Sequence, residues 1–177
     1  MWRKRLEISE QKERFIKDIA RSRERTMNRA VKLLAAKPRS VGELRGRLLE
    51  KSWTNEEIVD AVLEKLKEYE YLNDQKYARD LAASKLRQKP QGKRRLQQTL
   101  SRKELERETI AEAIENAFEK LPEAELIDAT IEKRVRIKGR PANRDETKKF
   151  YDHLLRLGFD FGLIREKMRD IAKLPDE

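Results

Sequence analysis

The chain holds one histidine, His153, and no cysteine. That excludes thiol catalysis, disulfides and the usual zinc ligand sets together, and a lone imidazole supports no Ser-His-Asp arrangement. Carboxylates do cluster, as Glu56–Glu57 and Glu104/Glu106/Glu108. They fall at expected helix starts, where negative charge complements the helix dipole. The stretch PQGKRR contains Gly92-Lys93 but lacks the upstream Gly and following Ser or Thr of a phosphate-cradling loop. His153, inside YDHLLRL, reads as a helix-surface or packing residue. The expectation is therefore a protein that is not an enzyme, with no catalytic residue, metal or cofactor.

What remains is positive charge. KLRQKPQGKRRLQQTLSRK, Lys85 to Lys103, carries eight Lys or Arg and no Asp or Glu, within a chain of net charge +10. Such a balance favours acidic partners: nucleic acid, an anionic surface or an acidic protein groove. The basic start MWRKRLEISE has no apolar stretch after it, so it reads as no secretory signal. No window approaches the roughly 18 apolar residues of a membrane span. A cytoplasmic protein with no membrane partner is expected.

The elements that must position these cations follow from apolar spacing. Nearly every apolar pattern is helical. Leu44, Leu48, Trp53, Ile58, Val62 and Leu66 are separated by four, five, five, four and four residues. The same spacing recurs in Leu96, Leu100, Leu105, Ile110, Ile114 and Phe118, and again in Phe150, Leu154, Phe159, Ile164, Met168 and Ala172. It crosses a helix–turn–helix junction without slipping, which marks an internal repeat. Ser40 with Glu43 and Thr54 with Glu57 read as capping boxes, and Asn143 with Glu146 as a looser one. Pro38, Pro90 and Pro141 stop the first helix of each copy, because the residue before proline avoids the α region.

The fold class expected is all-α: an N-terminal helix followed by three tandem three-helix repeats, A, B and C in each. The divisions are 1–26 for a charged helix with a sparse stripe (Leu6, Phe15, Ile19), then 27–73, 74–122 and 123–177. The A helices are placed at about 26–37, 74–88 and 124–138. With 37% apolar and 43% charged residues, each module is lean and neighbours should stack in an elongated row.

Charge follows the repeat. Residues 29–49 hold six basic and one acidic residue, and 50–74 three and eight. Residues 81–103 hold eight and none, 104–125 two and eight, 133–149 eight and two. Stacked modules would align the A-to-B regions into a basic strip. The residues expected to bind the partner are Lys85, Arg87, Lys89, Lys93, Arg94 and Arg95, with Lys133, Arg134, Arg136, Lys138 and Arg140. Leu72, Asp74 and Tyr77 are expected to set the junction between modules.

Two functions fit this pattern. One is a helix-turn-helix-like protein acting on DNA directly; its second helix would be NEEIVDAVLEKL or ERETIAEAIENAFEKL, whose carboxylates oppose phosphate. Contact through the A–B strip would be weak and salt-dependent. The other is a regulatory module lying along a protein or nucleoprotein assembly.

The stretch from Arg39 to Leu100 resembles the RecX family of bacterial recombinase regulators. The family pattern runs R-S-x-x-E-L, K-G-(F/W), E-E-I, Y-L-(D/N)-D-x-x-(F/Y)-A and K-x-x-G. This chain supplies Arg39-Ser40, Glu43-Leu44, Glu57-Ile58, Tyr71-Leu72-Asn73-Asp74, Tyr77-Ala78 and Lys89-Pro90-Gln91-Gly92. LLRLGFDFGLI is similar to the third-repeat R-x-G-F segment. The resemblance covers about residues 27–172. It departs at Ser52, where Gly is usual before the aromatic, at Asn73, which replaces the first of two acids, and at SRKEL, where K-G-(I/V) is frequent. The resemblance implies a curved, elongated array and a monomer that binds the RecA recombinase and its single-stranded DNA filament. It implies a modulator, most often an inhibitor, of ATPase, filament extension and strand exchange in DNA repair, recombination and the SOS response. Some members also bind DNA directly.

Overall fold

The computed structural model describes residues 16–173; Leu6 and Phe15 of the expected N-terminal stripe lie outside the described residues. All regular structure among the described residues is helical: α1 (Ile19–Ala36), α2 (Val41–Leu49), α3 (Glu56–Glu68), α4 (Asp74–Gln88), α5 (Lys93–Ser101), α6 (Arg107–Lys120), α7 (Glu123–Lys138), α8 (Arg144–Arg156) and α9 (Phe161–Lys173). They read as three A-B-C sets. The A helices α4 and α7 fall where the sequence places them. Helix α1 starts earlier and runs unbroken through residue 26, because Asp18 caps it by accepting from the Arg21 amide at 2.9 Å. No helix among the described residues is long and apolar enough to cross a membrane.

The repeat positions are the core. Every described side chain of the three six-residue sets is buried except Trp53, Leu105 and Ile114, which are half-buried. Their spacing places five of each set on the inner faces of two helices and the third member (Trp53, Leu105, Phe159) in the turn between them, and burying those faces is what makes such short helices stable.

The described residues fall into two compact units, divided after Asn73. In the first, α1 and α2 pack on α3. Their core is Ala30, Leu44, Leu48, Val59, Val62, Leu63, Leu66 and Leu72. The second unit holds both remaining repeats. One continuous cluster, from Ala78 and Leu86 through Leu96, Leu100 and Ile127 to Phe150, Phe159 and Ile164, joins α4 to α9.

The caps match expectation at two of three sites. Ser40 and Glu43 form a reciprocal capping box, with Glu43 N–H donating to Ser40 Oγ at 3.0 Å. Asn143 accepts from the Glu146 amide at 2.9 Å, while Glu146 accepts from the Ala142 amide, also at 2.9 Å. Thr54 is a correction. The α3 cap is Asn55, which accepts from the Ile58 amide at 3.0 Å. Thr54 is fully buried, with its hydroxyl 3.0 Å from that of Thr26 on α1. Thr26 donates in turn to the Ser22 carbonyl at 2.8 Å, and Ser22 Oγ to the Trp53 carbonyl at 2.7 Å. A polar seam thus ties α1 to the α2–α3 turn, where a buried hydroxyl needs a partner.

Candidate functional site

Arg87, Lys89, Lys93, Arg94 and Arg95 are exposed along the end of α4, its connection and the first turn of α5, with Lys85 half-buried. Lys85 and Arg87 lie in the last turn of α4, where cations suit the helix dipole. Lys93, Arg94 and Arg95 are at the opposite, unfavourable end of α5, whose first turn has no acidic residue. Helix stability does not explain three cations there.

The start of α5 is instead held by the end of α8. The Gly92 amide donates to the Leu157 carbonyl at 2.9 Å and the Arg94 amide to the Gly158 carbonyl at 3.2 Å. The Lys93 amide donates to Glu123 Oε1 at 3.1 Å, and Arg95 Nη1 to the Arg156 carbonyl at 2.8 Å. Orphan amides of one helix thereby meet carbonyls at the end of another. A Cβ on Gly92 would collide with the Gly158 carbonyl, so the backbones touch as only glycine allows.

On α7, Lys133, Arg136 and Lys138 are exposed, Arg134 is half-buried, and Arg140 is half-buried in the loop beyond. The Arg134 guanidinium lies 4.7 Å from the centre of the Phe150 ring on α8. Lys93 Nζ lies 5.6 Å from that of Phe118. Both are cation–π contacts.

Lys89, Arg134 and Lys138 lie close enough to His153 for their charges to bear on its ring, as does Arg156, which the sequence reading did not select. Partial burial first, then the charges of Arg134, Arg156, Lys89 and Lys138, hold the His153 imidazole below its ordinary pKa. Lys89, Arg134, Lys138 and Arg156 form no ion pair among the described residues. In the first repeat the positive region is treated differently. Arg45 is clasped by Asp60 at 2.7 Å and Glu56 at 3.2 Å, which raises its pKa. Lys93 and Arg95 are partly engaged inside the molecule, whereas Lys85, Arg87, Arg94, Lys133 and Arg136 have no ion pair among the described residues. Arg156 could have been found: it opens the R-x-G-F segment already singled out. His153 carried no signal, since its importance lies in neighbours up to 64 residues away in sequence, Lys89 being the most distant.

Comparison with known proteins bears on what this arrangement is. Residues 27–66 match the family model "RecX, first three-helix domain" and residues 73–114 match "RecX, second three-helix domain". The chain is 37% identical to regulatory protein RecX of Chlorobium limicola over 77% of its own length and 83% of that protein's. The chain belongs to the RecX family. Regulatory protein RecX of Prosthecochloris aestuarii is 30% identical, over 83% of this chain and 93% of that one. The crystal structure of RecX from Lactobacillus salivarius shares the fold, with a TM-score of 0.77 at 20% identity, covering 88% of this chain and 99% of that one. A second RecX crystal structure gives 0.72 at 22% identity, covering 86% and 73%. Within the RecX pattern, the contact of Gly92 with Gly158 joins the K-x-x-G element of the second repeat to the R-x-G-F element of the third.

Proposed function

We propose that this RecX-family protein regulates the RecA recombinase. It lies on the RecA–single-stranded DNA filament and limits its ATPase, extension and strand exchange, acting as a cytoplasmic monomer. The observation that carries this reading is the grouping of Lys89, Arg134, Lys138 and Arg156, which have no ion pair among the described residues, in a RecX-family fold. Cations left without acids favour a polyanionic partner. Lys85, Arg87, Lys93, Arg94 and Arg95 on one segment, with Lys133, Arg136 and Arg140 on the other, extend the contact.

Sequence-specific reading of DNA is disfavoured. The helices that would enter a groove, α3 and α6, carry Glu56, Glu57, Asp60 and Glu64, and Glu108, Glu112 and Glu115. Like charge opposes phosphate there, so direct DNA contact is of the weak, salt-dependent kind. The deciding measurement is single-strand-dependent RecA ATPase with and without this protein. A fall in turnover is expected. No change at a several-fold excess over RecA subunits and filament ends would sink the reading.

A further inference from the structure

Two residues of the RecX pattern have no task inside the first unit. Ser40 and Glu43 cap α2, and Leu44 and Leu72 are buried in the core. Arg39 and Tyr71 do neither. Arg39 Nε is buried with no acceptor, and no other buried side-chain nitrogen or oxygen among the described residues is left so. A buried donor ordinarily has a partner, so this orphan needs an explanation. Tyr71, at 69% exposure, is the most exposed large apolar side chain among the described residues. The repeat requires neither residue. Gln91 and Ala142 stand at the position of Arg39 before the caps of α5 and α8, and α6 ends in Leu121-Pro122.

Backbone geometry turns Tyr71 outward. The Tyr71 and Leu72 amides both donate to the Leu66 carbonyl, at 2.9 and 3.3 Å, and Glu70 before them stands at φ +58°. In helix ends of this kind the residue after the left-handed position usually packs back onto the helix. Here Leu72 enters the core instead, and the Tyr71 ring stands edge-to-face with that of Tyr69, 6.4 Å between centres. Tyr69 is 56% exposed as well, with Lys65 Nζ 5.9 Å from its ring centre. Arg39 shares this end of the unit. Ser22, near the start of α1, donates to the Trp53 carbonyl in the α2–α3 turn, so the α1–α2 connection and the end of α3 both lie at the opposite end.

We propose that this end of the first unit, with Tyr69, Tyr71 and Arg39, docks on the protein component of the recombinase filament, in an apolar groove that carries a carboxylate; the partner's identity rests on the filament reading above. Tyrosine and arginine are the usual anchors of protein interfaces, since each buries a large area and still satisfies polar groups. The Arg39 fork matches the two oxygens of a carboxylate, which would supply the acceptor that Nε lacks. Charge selects protein over nucleic acid. The tyrosines alternate with the exposed Glu68 and Glu70, and residues 50–74 hold eight acids against three cations, which opposes a phosphate strand. The complementary groove therefore has an acid opposite Arg39 and a basic rim opposite Glu68 and Glu70.

Affinity of the full chain for the RecA–single-stranded DNA filament, measured beside its affinity for oligothymidylate alone, tests the surface. Tyr71→Ser should weaken filament binding about tenfold, as loss of an interface anchor does. Arg39→Gln should weaken it several-fold, and neither variant should change oligothymidylate affinity. Tyr71→Phe should bind the filament nearly as wild type does, because the ring and not the hydroxyl fills the groove. Urea titration of the free chain is the folding control. Tyr71→Ser should leave the midpoint in place, and Arg39→Gln should leave it or raise it, since an orphan donor adds nothing to the free fold. A lower midpoint for Arg39→Gln would make Arg39 a structural residue and overturn the proposal. Equal losses on filament and oligothymidylate overturn it too, by assigning the surface to DNA. Wild type that binds the filament no better than Tyr71→Ser and Arg39→Gln sinks the docking surface alone. Wild type that does not bind the filament at all sinks the filament reading, and this surface with it.

Discussion

Gly92 and Gly158 meet backbone to backbone, 66 residues apart in the chain, with Gly158 at φ +82°. A Cβ on Gly92 would strike the Gly158 carbonyl, and one on Gly158 would strike the Arg95 amide. The contact lets the Gly92 amide reach the Leu157 carbonyl at 2.9 Å and seats the cationic start of α5 on the end of α8. Gly92→Ala should lower stability by about 1–3 kcal/mol, the usual range for forcing extra volume into a packed contact. Gly158→Ala should cost at least as much, because it adds a left-handed backbone to the collision. Urea titration of each variant measures this; a loss below about 0.5 kcal/mol for Gly158→Ala would mean the junction yields easily.

Glu104 sits at φ +51° in the turn before α6, a conformation that disfavours side chains, at the position corresponding to Gly158 in the third repeat. It is exposed and caps nothing that a glycine would release. Glu104→Gly should therefore stabilise the protein by about 0.5–1 kcal/mol, the left-handed penalty outweighing the added freedom of the unfolded chain. Thermal denaturation would show a higher midpoint; a lower one contradicts the assignment of strain.

Arg94 and Arg95 separate binding from stability. Arg94 is exposed with no ion pair among the described residues, whereas Arg95 Nη1 donates to the Arg156 carbonyl at 2.8 Å. Arg94→Glu puts an acid in the first turn of α5, so stability should hold or rise by about 0.3–1 kcal/mol. RecA-filament binding should nonetheless weaken. Arg95→Glu should lose both. Parallel melting and filament co-sedimentation test the pair; intact filament binding by Arg94→Glu would make this cation a solvated charge and nothing more.

Thr54 and Thr26 make a second separable pair. Thr54→Val leaves the buried Thr26 hydroxyl without its 3.0 Å partner and should cost about 1–2 kcal/mol. Adding Thr26→Val should cost less than its effect alone, since an apolar pair leaves nothing unsatisfied between them. A double-mutant cycle with no coupling would remove the seam from the energetics of α1 docking.

His153 gives the fold a pH signature of defined sign. Burial and neighbouring cations hold its native pKa below the unfolded value near 6.5. The unfolded chain therefore binds a proton that the native chain resists. Its contribution is full above about pH 6.5 and is lost as pH falls toward the depressed native midpoint. His153→Gln should flatten the wild-type slope in that window, and added salt should shrink it by screening.

Much of this molecule is written locally. The four-five-five-four-four spacing, Ser40 with Glu43, Asn143 with Glu146, and the stops at Pro38, Pro90 and Pro141 all act within about a turn or two of helix, so sequence alone determines the helices, their order and their buried faces. Thr54 shows where local reading fails. Its S/T-x-x-E context promised a cap, but burial against Thr26 leaves the cap to Asn55. The cationic runs were legible as runs; their division of labour was not. Packing alone sets Lys93 and Arg134 against aromatic rings, gives Arg95 a carbonyl, leaves Lys89 and Lys138 without an ion pair among the described residues, and brings the charge of Arg156 to bear on His153. Helix periodicity is a short-range property of the chain, whereas a shared electrostatic site depends on which distant helix ends meet. Here that is decided by the close approach of Gly92 and Gly158.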